Sequence, residues 1–339
     1  MLAETILITG ASGYLGGHLI KAALQKGYNV RATARSDSSA QKIAAQFPQS
    51  AAKLSYAIVL DITNPQSYQE ALEGVSGIIH SASPFVLKPK DNVKDLLQPA
   101  IQGSLAILKA AQQWGDAVRR IVVTSSHASV CDLSKGKRPG YVYNEKDWNP
   151  VTFEEASTAD GVVAYCASKA LAERATWDWV AENRPKFDVV TITPPWIFGP
   201  YATELTTTKH LSESIQILYD LLKVEDIPPF DFGGFADVRE VAAAHILGFE
   251  TPEAGGQRFW VGQNFNYQTA VDAAREQLPQ LSQRLPKGKP GFVESTYTVD
   301  GSKATKVLGL RYRPLAETIK DTYVQLLHAE ELEGQSGPA

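Results

Sequence analysis

A chain of 339 residues is long enough for one large α/β unit, or two fused lobes, with well-buried cores. Hydrophobic residues make up 44% and charged residues 21%, an ordinary globular composition that argues against extensive disorder. A net charge of −4 supplies no basic field for nucleic acid or an anionic membrane, so an unselective polyanion binder is not expected. Met1–Ile8 runs straight into an apolar strand with no signal-peptide pattern. No stretch reaches the roughly 18 to 20 apolar residues that cross a bilayer. A cytoplasmic protein without membrane partners is therefore the expectation.

Taken in chain order, the first predicted strand is Thr5–Thr9, bounded by turn residues. Directly after it comes Thr9-Gly10-Ala11-Ser12-Gly13-Tyr14-Leu15-Gly16-Gly17, leading into a predicted helix over Tyr14–Lys26. Gly10 lets the chain turn out of the strand, Gly13 lets backbone approach a pyrophosphate, and Gly16 lets the helix pack closely on the sheet. The orphan amides of the helix N-terminus then face the phosphates. A glycine triplet alone is a weak signal. Between a strand and a helix at the start of the chain, it is a dinucleotide-binding fingerprint.

The second strand, Tyr28–Ala34, ends at Arg35, where a cofactor's adenosine ribose should lie. An acidic residue there would bind the 2′-hydroxyl of NAD, whereas arginine suits the 2′-phosphate of NADP. The alternative for Arg35 is a solvated surface charge. A helix over Asp37–Gln46 and a strand over Leu54–Leu60 lead to Asp61 and Ile62. Asp61 is placed to accept from the adenine amino group or to cap the next helix, Pro65–Glu73. The fourth strand, Gly77–Ser81, delivers Ser81, Ala82 and Ser83 to the ribose and phosphates.

After a helix over Val93–Trp114, the strand Arg120–Ser125 delivers Thr124, Ser125 and Ser126. Ser126 is the candidate to polarise a substrate carbonyl, with Ser125 as the fallback. The helix Val162–Asn183 carries Tyr165 and Lys169, four residues apart on one face. An ammonium beside a phenol should lower its pKa from about 10 towards the range useful for acid–base work. The same lysine can bond the nicotinamide ribose. Alone, each of these three residues would read as filler, surface charge or a turn; in this order behind a dinucleotide loop they read as a catalytic set.

The strand Val189–Thr193 ends the alternation, which implies a doubly wound parallel sheet of Rossmann type with ligands at its carboxyl edge. Pro194, Trp196 and Ile197 should complete the cofactor channel. Beyond Pro194, proline-rich turns and short elements such as the strand Arg258–Val261 suggest a smaller α/β substrate lobe over 195–330. Thr203–Leu222 reads as a helical lid, and 237–249 as a helix returning to the Rossmann core of 1–194. Glu330 to Ala339 reads as a frayed tail.

Other chemistry is weaker. Cys131 and Cys166 form no disulfide framework and fit best as buried fillers, with a reactive thiol at Cys166 as the alternative. His18, His80, His210, His245 and His328 show no metal-ligand spacing. Ser126-His127 is not a hydrolase pair, since adjacent strand residues point apart and no Gly-x-Ser-x-Gly elbow is present.

The chain resembles the extended short-chain dehydrogenase/reductases. Within them it is similar to the dihydroflavonol reductase and cinnamoyl-CoA reductase branch, with its fungal methylglyoxal/isovaleraldehyde reductases and yeast NADPH-dependent aldehyde reductases closest in appearance. The resemblance covers nearly the whole chain. It rests on the loop, Tyr165-Cys166-Ala167-Ser168-Lys169, His80-Ser81-Ala82-Ser83-Pro84-Phe85, Glu145-Lys146-Asp147-Trp148, Phe198-Gly199-Pro200, Phe232-Gly233-Gly234 and Asp237-Val238-Arg239-Glu240. It implies NADPH as cofactor and Ser126, Tyr165 and Lys169 as the triad. It also implies a small carbonyl substrate near Phe85, His127, Trp196 and Tyr201. Three departures stand out: Ser38 and Ser39 where relatives often carry a lysine, His127 where fungal enzymes carry a tyrosine, and Thr193-Pro194-Pro195 in place of Asn-Pro. The rival expectations are an NAD-dependent nucleotide-sugar epimerase or dehydratase and a non-enzymatic NADP(H) sensor. Monomer and homodimer remain equal alternatives.

Overall fold

Thr5–Thr9 (β1) is apolar on both faces: Ile6 and Ile8 enter one core cluster and Leu7 the other. Such a strand belongs in the middle of a sheet covered on both sides. The computed structural model describes residues 3–83 and 89–335. After β1 come α1 (Tyr14–Gln25), β2 (Asn29–Ala34), α2 (Asp37–Gln46), β3 (Leu54–Ile58), β4 (Gly77–His80) and α3 (Gln98–Trp114). Then follow β5 (Arg120–Thr124), β6 (Val142–Tyr143), α4 (Phe153–Thr158), α5 (Gly161–Asn183), β7 (Asp188–Thr193) and β8 (Trp196–Phe198). The remainder comprises α6 (Glu213–Asp220), β9 (Gly234–Asp237), α7 (Val238–Glu250), β10 (Arg258–Trp260), β11 (Gln263–Asn264), α8 (Tyr267–Gln277), β12 (Thr298–Val299), α9 (Ser302–Leu308) and α10 (Leu315–Gln335).

Seven strands form one sheet in the order β10-β7-β5-β4-β1-β2-β3, every pair parallel. This is the Rossmann architecture. The core under α1, α2 and α7 takes Ile6, Ile8, Val122 and Val190, whereas that under α3 and α5 takes Leu7, Ile121, Val123 and Val189. The period of two along each strand thus fills both layers. The strand order reverses between β1 and β4, which opens a crevice at the carboxyl ends of the strands. A third cluster, including Phe198, Leu218, Phe235, Phe265, Ile319 and Tyr323, builds a wall beside that crevice around the small sheet β11-β9-β8.

Five expectations change. Arg258–Val261 supplies β10, which pairs with β7 through Arg258–Thr191 and Trp260–Thr193 and so joins the main sheet rather than the lobe. A three-residue strand carries too little pattern to announce its partner. Pro65–Glu73 forms two tight 3₁₀ turns instead of one helix, the first capped by the Asn64 side chain. The predicted helix from Val93 begins as one wide π turn and becomes α-helical only at Gln98, because Pro99 has no N–H to continue the ladder. In Thr203–Leu222 only Glu213–Asp220 is α-helical. The Glu333 carboxylate accepts from Thr208 N at 3.1 Å and Thr208 Oγ1 at 2.9 Å, holding the preceding segment in an irregular path. For the same reason the tail is not frayed at Glu330: α10 continues to Gln335.

Candidate active site

Thr9 stitches the crevice together. Its Oγ1 accepts from Ser81 N and Ala82 N at 3.1 Å each, so its own hydrogen goes to His80 Nδ1, 2.9 Å away. This bond keeps His80 neutral beside the loop. Burial, with the charge of Lys169, lowers its pKa to about 4. Gly10 turns the chain with φ +69°, and a Cβ there would stand 2.8 Å from Ala82 N. A Cβ on Gly16 would come 2.3 Å from Gly10 O. Gly13 occupies the N-cap of α1 without a side-chain cap, which leaves the first-turn amides to a ligand. A cradle that a Cβ would fill, at an uncapped helix N-terminus, fits a pyrophosphate.

A cavity of about 570 Å³ runs from this loop across the strand ends. Of the residues expected at the cofactor, Gly10, Gly13, Tyr14, Leu15, Gly16, Ser81, Ser83, Thr124, Pro194, Trp196 and Ile197 line it, together with Ser126, Tyr165 and Lys169. Thr9 and Ala82 lie just behind its surface, and Ser12 sits exposed on the loop. Arg35, Asp61 and Ile62 stand along the same sheet edge after β2 and β3, outside the cavity. Arg35 is exposed, and Asp61 accepts from Thr63 N at 2.8 Å and Thr63 Oγ1 at 2.6 Å, which lowers its pKa. Asp61 is thus engaged in a local turn.

The Ser126 hydroxyl and the Tyr165 phenol share the cavity, close enough for the hydroxyl to favour the phenolate. Ser125 is committed elsewhere, donating to Glu173 Oε2 at 2.6 Å, so Ser126 presents the hydroxyl. Lys169 Nζ donates to Ser83 Oγ at 2.7 Å and lies 5.4 Å from the Tyr165 ring centre. The expected lowering of the phenol's pKa is not seen in this arrangement. Burial is the largest influence and pushes it up, the neighbouring Cys166 adds to that, and the Ser126 hydroxyl opposes. Burial also lowers the Lys169 pKa to about 8. The phenol is therefore held protonated, the form a proton donor requires.

Of the substrate residues, Trp196 and His127 line the cavity, while Phe85 lies outside the described residues. The His127 ring is not available to a ligand. Trp260 Nε1–H donates to its Nδ1 at 3.0 Å, so Nε2 carries the hydrogen and faces Tyr297 Oη at 3.2 Å. Burial drops its pKa to about 3. Tyr201 does not reach the cavity. Its ring packs edge-on against Tyr14, with centres 4.8 Å apart, and its hydroxyl accepts from Ser212 N at 2.7 Å.

Residues not anticipated from sequence form the rest. Pro195, Leu211, Ser212, Glu213, Ser214 and Phe232 line the far wall. Behind the catalytic residues sits Glu173, one turn beyond Lys169 and almost fully buried. Its carboxylate takes Ser125 and Ser129 hydroxyls at 2.6 Å, Thr191 Oγ1 at 2.7 Å and Arg258 Nε at 2.7 Å. Arg258 in turn stacks on Trp148, its guanidinium carbon 3.5 Å from a ring centre. The network ties the helix of Tyr165 to the strand end of Ser126. The spacing 165, 169, 173 on one helical face was the signal that could have shown it.

An NAD dependent epimerase/dehydratase family model matches residues 6–262, about three quarters of the chain. The chain belongs to this family. Family members similar to it include the NADPH-dependent methylglyoxal reductase GRE2 of Saccharomyces cerevisiae, 36% identical over 96% of this chain and 99% of that protein. The ketoreductase azaE of Aspergillus niger is 35% identical over 96% and 98%. Among solved structures, yeast methylglyoxal/isovaleraldehyde reductase Gre2 complexed with NADPH superimposes with a TM-score of 0.91 at 35% identity, covering 97% of this chain and 99% of that one. The extended short-chain dehydrogenase/reductase resemblance therefore holds along the whole chain.

Proposed function

We propose that this protein reduces aldehydes and ketones to alcohols, with NADPH bound along the loop edge of the crevice. The observation that carries the reading is that Ser126, Tyr165 and Lys169 line one cavity together with the glycine loop. When bound, NADPH supplies the hydride. Tyr165 donates its proton to the carbonyl oxygen, and Ser126 donates a hydrogen bond to the same oxygen as negative charge builds there. Lys169, held by Ser83 in this structure, anchors the nicotinamide ribose and provides the cation that favours the phenolate once the proton has left. Arg35 meets the 2′-phosphate at the end of β2. Residues 1–194 with 237–249 hold the cofactor, and most of 195–330 shapes the substrate wall. Among the described residues no helix is long and apolar enough to cross a membrane. A cytoplasmic setting accords with the two free thiols Cys131 and Cys166.

The test is Tyr165→Phe. Loss of about 10²- to 10⁴-fold in kcat with ketone substrates, at nearly unchanged NADPH affinity, is the expected result. Undiminished turnover by the variant would remove Tyr165 from the mechanism.

A further inference from the structure

Among the described residues lining the catalytic cavity there is one carboxylic acid, Glu213, and one lysine or arginine, Lys169. They enter from opposite sides. Lys169 comes from α5 and is bonded to Ser83, beside the dinucleotide loop. Glu213 comes from the far wall, as the first residue of α6, next to Leu211 and Ser212. The other acids near the site are already engaged. Asp231 takes a 2.6 Å bond from Tyr267 Oη, and Glu173 is sunk in its arginine network. Glu213 has no such partner: among the described residues no lysine or arginine makes an ion pair with it. Its carboxylate is exposed at the cavity rim, and its charge reaches far enough to oppose ionisation of Tyr165. Among the described residues, the substrate end of the cavity thus presents one unbalanced carboxylate and no lysine or arginine of its own.

Recognition of a carboxylate needs an arginine or lysine directed at it. Among the described residues the one lining lysine or arginine, Lys169, stands on the cofactor side, and a carboxylate acts against anions. We propose that Glu213 sets the charge class of the substrate: the site takes neutral carbonyl compounds and those bearing an ammonium group, and disfavours those with a carboxylate beside the reacting carbon. This rests on the carbonyl-reductase reading and narrows it. Selection works by repulsion of the wrong ligand rather than by an added contact to the right one. Two like charges roughly 7 Å apart at a half-solvated rim repel enough to shift selectivity on the order of tenfold. Because the group is exposed, salt should weaken the effect.

The experiment compares kcat/KM for methyl 2-oxopropanoate and its free acid, 2-oxopropanoate, a pair matched in the reacting carbon and differing in charge. Taking the ester-to-acid ratio cancels any effect of Glu213 on Tyr165, since both substrates use the same proton donor. In Glu213→Gln the ratio should fall on the order of tenfold, and in Glu213→Lys further still. With the unmodified protein, raising salt to about 0.5 M should narrow the same ratio, a reading that needs no variant. A ratio unchanged by Glu213→Gln and by salt, with the ester still reduced, overturns the assignment to Glu213. No reduction of the ester despite NADPH binding overturns the carbonyl-reductase reading itself, a distinct outcome.

Discussion

At the loop end of the crevice the surface offered to a ligand is mainly backbone, whereas at the far end it is mainly side chain. Gly10, Gly13 and Gly16 act by lacking a Cβ, and the buried Thr9 hydroxyl ties the strand before them to the Ser81 and Ala82 amides. The far wall instead assembles His127, Trp196, Glu213 and Phe232 from separate parts of the chain, with Trp260 and Tyr297 packed behind the His127 ring. Backbone geometry can serve one invariant group, such as a pyrophosphate, and tolerates little change. A side-chain wall can be altered residue by residue without disturbing the sheet. The constant half of the chemistry and the variable half are therefore made of different material.

The comparison can be broken in four ways. The largest effect should come from pH, because both ends lean on neutral buried histidines. Burial holds His18, His80 and His245 near pKa 4 and His127 near 3. As pH falls below 6.5 the unfolded chain takes up protons that the folded chain refuses, so stability declines from about pH 6.5 towards pH 4. The slope approaches about 1.4 kcal/mol per pH unit for each such histidine. Urea midpoints measured from pH 7.5 to 5 should drop steeply; a flat profile would show that these rings are not held neutral.

Glu173→Ala comes next. It strands Arg258 and the hydroxyls of Ser125, Ser129 and Thr191, at a cost of about 3–5 kcal/mol. Equilibrium denaturation reads this directly, and any folded remainder should lose kcat more than NADPH affinity if the network serves Ser126. Gly10→Ala tests the backbone end. The positive φ and the clash with Ala82 N should cost about 1–3 kcal/mol, and NADPH affinity measured by titration should fall with it. The smallest effect belongs to Arg35→Ala, exposed at the sheet edge. Preference for NADPH over NADH, read as a ratio of kcat/KM values, should drop on the order of tenfold while the fold is unaffected.

The contrast also explains what could be read in advance. The boundaries of Thr5–Thr9 and Asp37–Gln46 were legible to the residue, because local pattern and turn chemistry agree there. The loop and the Tyr165–Lys169 spacing were legible for the same reason: both are contiguous in the chain. Tyr201 was misplaced and Glu213 passed over because the path of residues 203–212 is set by Glu333, more than a hundred residues later. Arg258 gave no hint of its role, since its partners Glu173 and Trp148 lie far away in sequence.

By its own pattern the chain determined an alternating parallel sheet, a phosphate loop and a phenol–ammonium pair one helical turn apart. Each depends on φ/ψ freedom, helical periodicity or strand alternation within about twenty residues. Tertiary structure alone decided that Ser126 rather than Ser125 faces Tyr165, that β10 closes the main sheet, and that the His127 ring is spent inside the wall. Those outcomes turn on competition among buried hydrogen-bond partners brought together from distant segments, which no local spacing encodes.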